Sequence, residues 1–199
     1  MLSRRLCVVI AIAAMGMIYA IPAAAQDTTS NQQKAMEAYM KLMGPNENHA
    51  FLKNFVGEWN IQSTAWMQPG APSTTSQSTS NAELILGGRF VMMKFQGTMF
   101  GQPFEGIQII GYDNLQKKYN TFWIDNSSTG FYLMSGMCDQ TGSVLNEAGV
   151  WSDPMTGGDM KVRDVTRLVG PDEYTYELYM TGPDGKEFKT LENRVSRKK

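Results

Sequence analysis

An antiparallel β-barrel of about ten strands, closed on itself, is the all-β fold that the sequence predicts for residues 46–199. Three observations predict it. Beyond Gly57 the chain is a succession of runs rich in β-branched and aromatic side chains. The connections between them are short and made of turn formers: PGAPS, GG, FGQP, DNLQK, NSST, DQTG, DPMTGG, GPDE and GPDG. None is long enough for a crossover, so consecutive strands must be antiparallel neighbours. A meander of that length leaves two unpaired edges unless it closes, which favours an up-and-down barrel over a sandwich.

Arg4 and Arg5 precede an apolar run from Leu6 to Ile21, and Ala23, Ala24 and Ala25 supply small residues at its end. That is the arrangement of a signal peptide over residues 1–25, cleaved after Ala25. The run is about 16 residues, short of the ~20 that span a bilayer. The expected protein is therefore exported, secreted or periplasmic, with no membrane span once the signal is removed.

Residues 26–45 read as a polar leader followed by a short helix. QDTTSNQQ is polar and expected to be loose; from residue 31 to 43, Met36, Tyr39, Met40 and Met43 recur at helical spacing before Gly44 and Pro45 end the helix. ENHAFLKNF (47–55) reads as a second short helical turn. It carries Phe51, Leu52 and Phe55 on one side and is placed to close one mouth of the barrel. The strands follow at 59–67, 77–86, 89–99, 105–112, 118–125, 130–138, 143–151, 159–169, 173–180 and 187–196.

Charge and residue inventory exclude several functions. Cleavage after Ala25 takes the formal net charge from −1 to −3, leaving no basic surplus for a phosphate backbone, so no nucleic-acid partner is expected. Cys138 would be the only cysteine left, so the exported domain has no internal disulfide. His49 is the only histidine and lies ahead of the barrel, which argues against a Ser-His-Asp centre. One Cys and one His do not make a zinc site, and no phosphate or dinucleotide loop is present. Asp153, Thr156 and Asp159 lack EF-hand spacing and read as a turn. No cofactor and no metal are called for.

What remains is the barrel lining. Methionines and aromatics are frequent and suit a cavity for flexible apolar molecules. In KYNTFWID, alternation puts Tyr119, Thr121, Trp123 and Asp125 on one face. The candidate ligand-binding set is Met92, Phe95, Ile109, Tyr119, Trp123, Asp125 and Phe131.

VGEW at 56–59 has the Gly-x-Trp that opens the first strand of lipocalin-like barrels. GGRF (87–90), GQPFEGIQIIGYDN (101–114), KKYNTFWIDNSST (117–129) and EYTYELYMTGPDGKEFK (173–189) resemble an exported bacterial family, domain of unknown function 1579, grouped with the calycin barrels. The resemblance spans roughly residues 49–195. It implies the barrel and a structural closure by Gly57, Trp59 and an arginine from a late strand, for which Arg194 is the candidate, with Arg167 behind it. It implies no reaction.

The function expected is non-covalent binding of a small apolar ligand in the lumen. Two alternatives stay open: an enzyme using Asp125 or Glu105 with Tyr119 or Tyr112 at a polar cavity end, and an envelope interaction protein with a plugged barrel.

Overall fold

Ten strands in strict sequence order close into one barrel in the computed structural model, which describes residues 23–99, 101–153, 156–182 and 184–199. Most of the expected signal, residues 1–22, lies outside the described residues. The chain divides into two units, Met1–Lys41 and Leu42–Lys199.

In the first unit, helix α1 (Ala23–Met43, ending just past the unit boundary) starts well before the predicted residue 31. The stretch expected to be a loose leader is helical. It contains no glycine or proline, so nothing in it breaks a helix that Ala23, Ala24 and Ala25 begin. Met36, Tyr39 and Met40 are all exposed.

The barrel unit opens with the short 3-10 helix η1 (Glu47–Phe55). Asn46 caps it: its side chain accepts from the Asn48 amide at 3.0 Å, and its own amide donates to Nδ1 of His49 at 3.0 Å. The lone histidine is thus a capping residue, 6% exposed, with its ring edge against Tyr112. Phe51, Leu52 and Phe55 turn inward and η1 packs on the ends of the neighbouring strands, closing that mouth.

The strands are β1 (Gly57–Ala65), β2 (Thr74–Ile85), β3 (Phe90–Met99), β4 (Gln102–Asp113), β5 (Lys118–Asp125), β6 (Tyr132–Cys138), β7 (Val144–Ser152), β8 (Asp159–Gly170), β9 (Glu173–Thr181) and β10 (Glu187–Arg197). Each pairs antiparallel with the next, and β1 pairs with β10 to complete the ring, as the short turns require. Every predicted strand is present, with ends shifted by a few residues. β2 and β4 each begin three residues earlier than expected; in β2, Thr74, Thr75 and Ser76 pair with β1.

Alternation then sorts the side chains. At the η1 end the interior is packed by Phe51, Leu52, Phe55, Trp59, Val91 and Leu145, each under 8% exposed. Toward the other mouth the inward positions are half-buried, among them Phe95, Gln108, Trp123, Tyr132, Trp151 and Asn193. The lumen is filled at its closed end and reachable from solvent at the open one.

Closure at the packed end uses a different arginine from the one expected. Trp59 is opposite Arg197, whose guanidinium lies 4.1 Å from the indole centroid. Arg197 also donates to the carbonyls of Val56 (2.8 Å) and Pro171 (3.0 Å) and to Asp172 (2.8 Å). Arg194 is three positions away, hence on the outer face, and its side chain is 72% exposed. Gly57 is required by the same contact: its φ is +120°, and a Cβ there would stand 2.6 Å from Nη1 of Arg197.

Candidate functional site

The open half of the lumen is built on Trp123. Strand β5 pairs with β4, setting Trp123 opposite Gln108 and Asp125 opposite Gly106. Gly106 has no side chain, so the indole lies across its backbone; a Cβ there would come within 2.5 Å of the ring. Phe95 meets the indole edge-on at 5.1 Å and Phe104 stacks beside it at 6.3 Å. The indole Nε1 donates to Asp125 at 2.6 Å. The other Asp125 oxygen accepts from the Ser127 amide and hydroxyl, so the ring is fixed by the turn at the strand end. Tyr132 and Trp151, with rings 4.7 Å apart, add a second aromatic pair from β6 and β7.

Between this aromatic half and the packed end lies a polar layer. Glu147 on β7 stands directly opposite Asp164 on β8, and they are 3% and 1% exposed. Thr121 donates to Oε2 of Glu147 at 2.8 Å, and the Tyr176 hydroxyl is hydrogen-bonded to Asp164. Oε1 of Glu147 and Oδ1 of Asp164 have no partner among the described residues. Burial raises both carboxyls, Glu147 to about 7 and Asp164 to about 8, and Asp164 is raised further by the charge of Glu147. Two opposed buried carboxyls cannot both ionise cheaply, so the pair retains a proton near neutrality. Chemically it can donate or accept a proton, or receive a hydrogen-bond donor.

The predicted site residues divide into three groups. Phe95, Trp123 and Asp125 do come together at the open half. Tyr119 shares their strand face but lies in the packed end, 3% exposed, where its hydroxyl donates to the Asn48 carbonyl at 2.7 Å and ties η1 to the wall. Met92, Ile109 and Phe131 are not in the lumen. Met92 and Ile109 are opposite one another on the outer face, because their neighbours Val91, Met93 and Ile110 take the inner one. Phe131 precedes β6, is 72% exposed, and packs on Phe122 outside the barrel.

Of the carboxylate–tyrosine pairs considered, Glu105 is exposed on the outer face, and Tyr112 packs with Tyr119 and His49 at the closed end. The acids that do converge, Glu147 and Asp164, were legible only as acids interrupting apolar strands. Cys138 is free, and burial pushes its thiol up to about 11, which leaves it un-ionised and unreactive at neutral pH.

Two clefts outside the lumen carry no comparable chemistry. One, about 510 Å³, runs between η1 and the β6–β7 turn past Asn48, Asn54 and Asp139. The other, about 560 Å³, crosses the outer wall at Gln62, Gln77 and Arg194. No helix among the described residues is long and apolar enough to cross a membrane.

Comparison with known proteins places this geometry. No curated protein matches the chain significantly. Among solved structures, the crystal structure of Rv2717c from M. tuberculosis is similar at 15% identity with a TM-score of 0.60, covering 78% of this chain and all of that one. An S-type phycobiliprotein lyase, CPES from Guillardia theta, is similar at 10% identity with a TM-score of 0.57, covering 81% of this chain and 98% of that one. At such identities these likenesses show a shared barrel fold. Residues 44–197, from the end of α1 through β10, match the family described as Protein of unknown function (DUF1579), and the chain belongs to that family.

Proposed function

We propose that this is an exported binding protein whose open half-lumen holds one small, largely apolar molecule without covalent chemistry. The observation that carries this reading is the half-buried Trp123, laid on Gly106 and flanked by Phe95 and Phe104 at the reachable end of the barrel. A concave aromatic surface with a few fixed polar groups is the usual make-up of a small-molecule site. Eight strands make a barrel that side chains can fill, and ten enclose more room. The test is titration with a fluorescent apolar probe. Saturable one-to-one binding is expected, and Trp123→Ala weakens it about tenfold, the loss of one well-packed aromatic contact. Absence of saturable binding overturns the reading.

A second reading is favoured by the outer wall. Met92, Ile109, Phe122 and Leu133 are opposite one another in register across β3 to β6, forming an apolar row on the outside, and Leu133 is 60% exposed. Contiguous apolar surface of that kind is a mark of interaction proteins. Under this reading apolar probes gather on the outer wall, away from Trp123.

A further inference from the structure

The charges facing the open lumen have one sign. Glu147, Asp164 and, at the mouth, Asp125 face inward. Among the described residues no lysine or arginine of the same strands joins them. Arg163 and Lys189 are engaged outside in ion pairs with Glu187 and with Glu177 and Glu192, and Lys94, Lys161, Arg167 and Arg194 are exposed. Among the described residues the one inward cation, Arg197, sits beneath Trp59 and is held there by Asp172 and two carbonyls.

Among the described residues the unpartnered groups on the inner wall are mostly acceptors, with the indole Nε1 of Trp151 the one that can only donate. Glu147 and Asp164 each keep one oxygen with no hydrogen-bond partner among the described residues, as does Asn193 at its Oδ1. Ser80, on the opposite wall and 4% exposed, has an unpartnered hydroxyl facing inward. Buried acceptors without donors carry a free-energy penalty that a ligand's N–H groups would relieve. Above them, the faces of Trp123 and its neighbours attract cations and repel anions.

We propose, building on the lumen-binding reading above, that the ligand is an organic amine or amidine: an apolar body against Trp123 with a cationic nitrogen head directed at Glu147 and Asp164. Carboxylate-headed molecules, fatty acids included, are rejected because they would place a third negative group against two desolvated carboxyls.

Docking of the ammonium head releases the proton that the pair shares to solvent, with no bond made or broken in the ligand. Amine affinity therefore rises as pH passes upward through the range where the raised carboxyls ionise. The other groups around the pair are the hydroxyls of Thr121 and Tyr176, the Cys138 thiol near Glu147, and Arg163, which acts on Asp164 from the outer face. Cys138, Tyr176 and Arg163 hold their protonation across that range.

Three dansyl probes test this: dansylcadaverine, which carries a primary amine; neutral dansylamide; and 11-(dansylamino)undecanoic acid. At pH 8.5 the amine is expected to bind about tenfold or more tighter than the acid, a gap that narrows at pH 6.5. The double variant Glu147→Gln, Asp164→Asn is expected to lose the amine preference while still binding dansylamide. Equal or tighter binding of the acid overturns the inference, as does an amine preference that is independent of pH in the wild-type chain. That pH arm stands even if the double variant fails to fold. If dansylamide binds and the amine has no advantage, only the ligand class is wrong; if none of the three binds, lumen binding itself fails.

Discussion

Arg197 shows how much one side chain at the closed end holds together. It covers Trp59, satisfies the Val56 and Pro171 carbonyls, and pairs with Asp172, joining both ends of the barrel chain at one point. Arg197→Ala removes a cation–π contact and leaves a part-buried carbonyl unsatisfied, for a loss of about 2 kcal/mol. Arg194→Ala, on an exposed side chain, should change stability by less than about 0.5 kcal/mol. Urea unfolding of the two variants checks this, and equal losses would contradict the assignment. Choosing between these arginines from the sequence needed the β1–β10 register, which opposes Trp59 to Arg197, and register is set by tertiary packing. The Met92 and Ile109 assignments failed for a related reason. FVMM is apolar at four consecutive positions, so alternation cannot say which residue turns inward, and in IQII the polar Gln108 is inward, opposite Trp123, which leaves Ile109 on the outer face. In KYNTFWID alternation groups Tyr119, Thr121, Trp123 and Asp125 on one face, but both faces are mixed, and it is the pairing with β4 that turns this one inward.

At the level of elements, the β7–β8 ladder brings together two acids that nothing in either strand alone marks as inward, Asp164 standing among Lys161, Arg163 and Arg167. Each strand alternates correctly around its acid: Leu145, Glu147 and Trp151 on one, Val162, Asp164 and Thr166 on the other. Only their pairing makes a proton-holding site. Both carboxyls titrate above their unfolded values, so the folded chain holds protons that the unfolded chain gives up. The stability this provides is full in acid and is lost as pH rises through about 7 and 8. His49 acts in the opposite sense. Burial lowers it from 6.5, so its contribution is present above that value and falls away in acid. Between pH 6.5 and 8.5 the carboxyl pair dominates, and unfolding free energy should fall with a slope approaching about 1.4 kcal/mol per pH unit for one proton. Glu147→Gln with Asp164→Asn should flatten that slope. A wild-type profile that is level or rising over this window would mean the pair is ionised in the folded protein.

Taken as a whole, the barrel unit has two unlike walls and two unlike ends. The outer face of β8 to β10 carries a charged ladder in which Arg163 grips Glu187 and stacks on Tyr179 while Lys189 bridges Glu177 and Glu192. The outer face of β3 to β6 carries the apolar row. One end is packed around Trp59, and the other presents Trp123. Strand number, order and closure were legible because short turns allow only one topology. The division of the lumen into a packed and a reachable half was not, because it depends on how far η1 and its phenylalanines penetrate. The measurement that bears most directly on lumen binding is amide and indole NMR mapping of a bound apolar probe. The account predicts saturable shifts at Phe95, Gly106, Trp123 and Trp151, with Ile109, Phe122 and Leu133 unmoved. Shifts confined to those outer-wall residues, with the Trp123 indole unchanged, would contradict it.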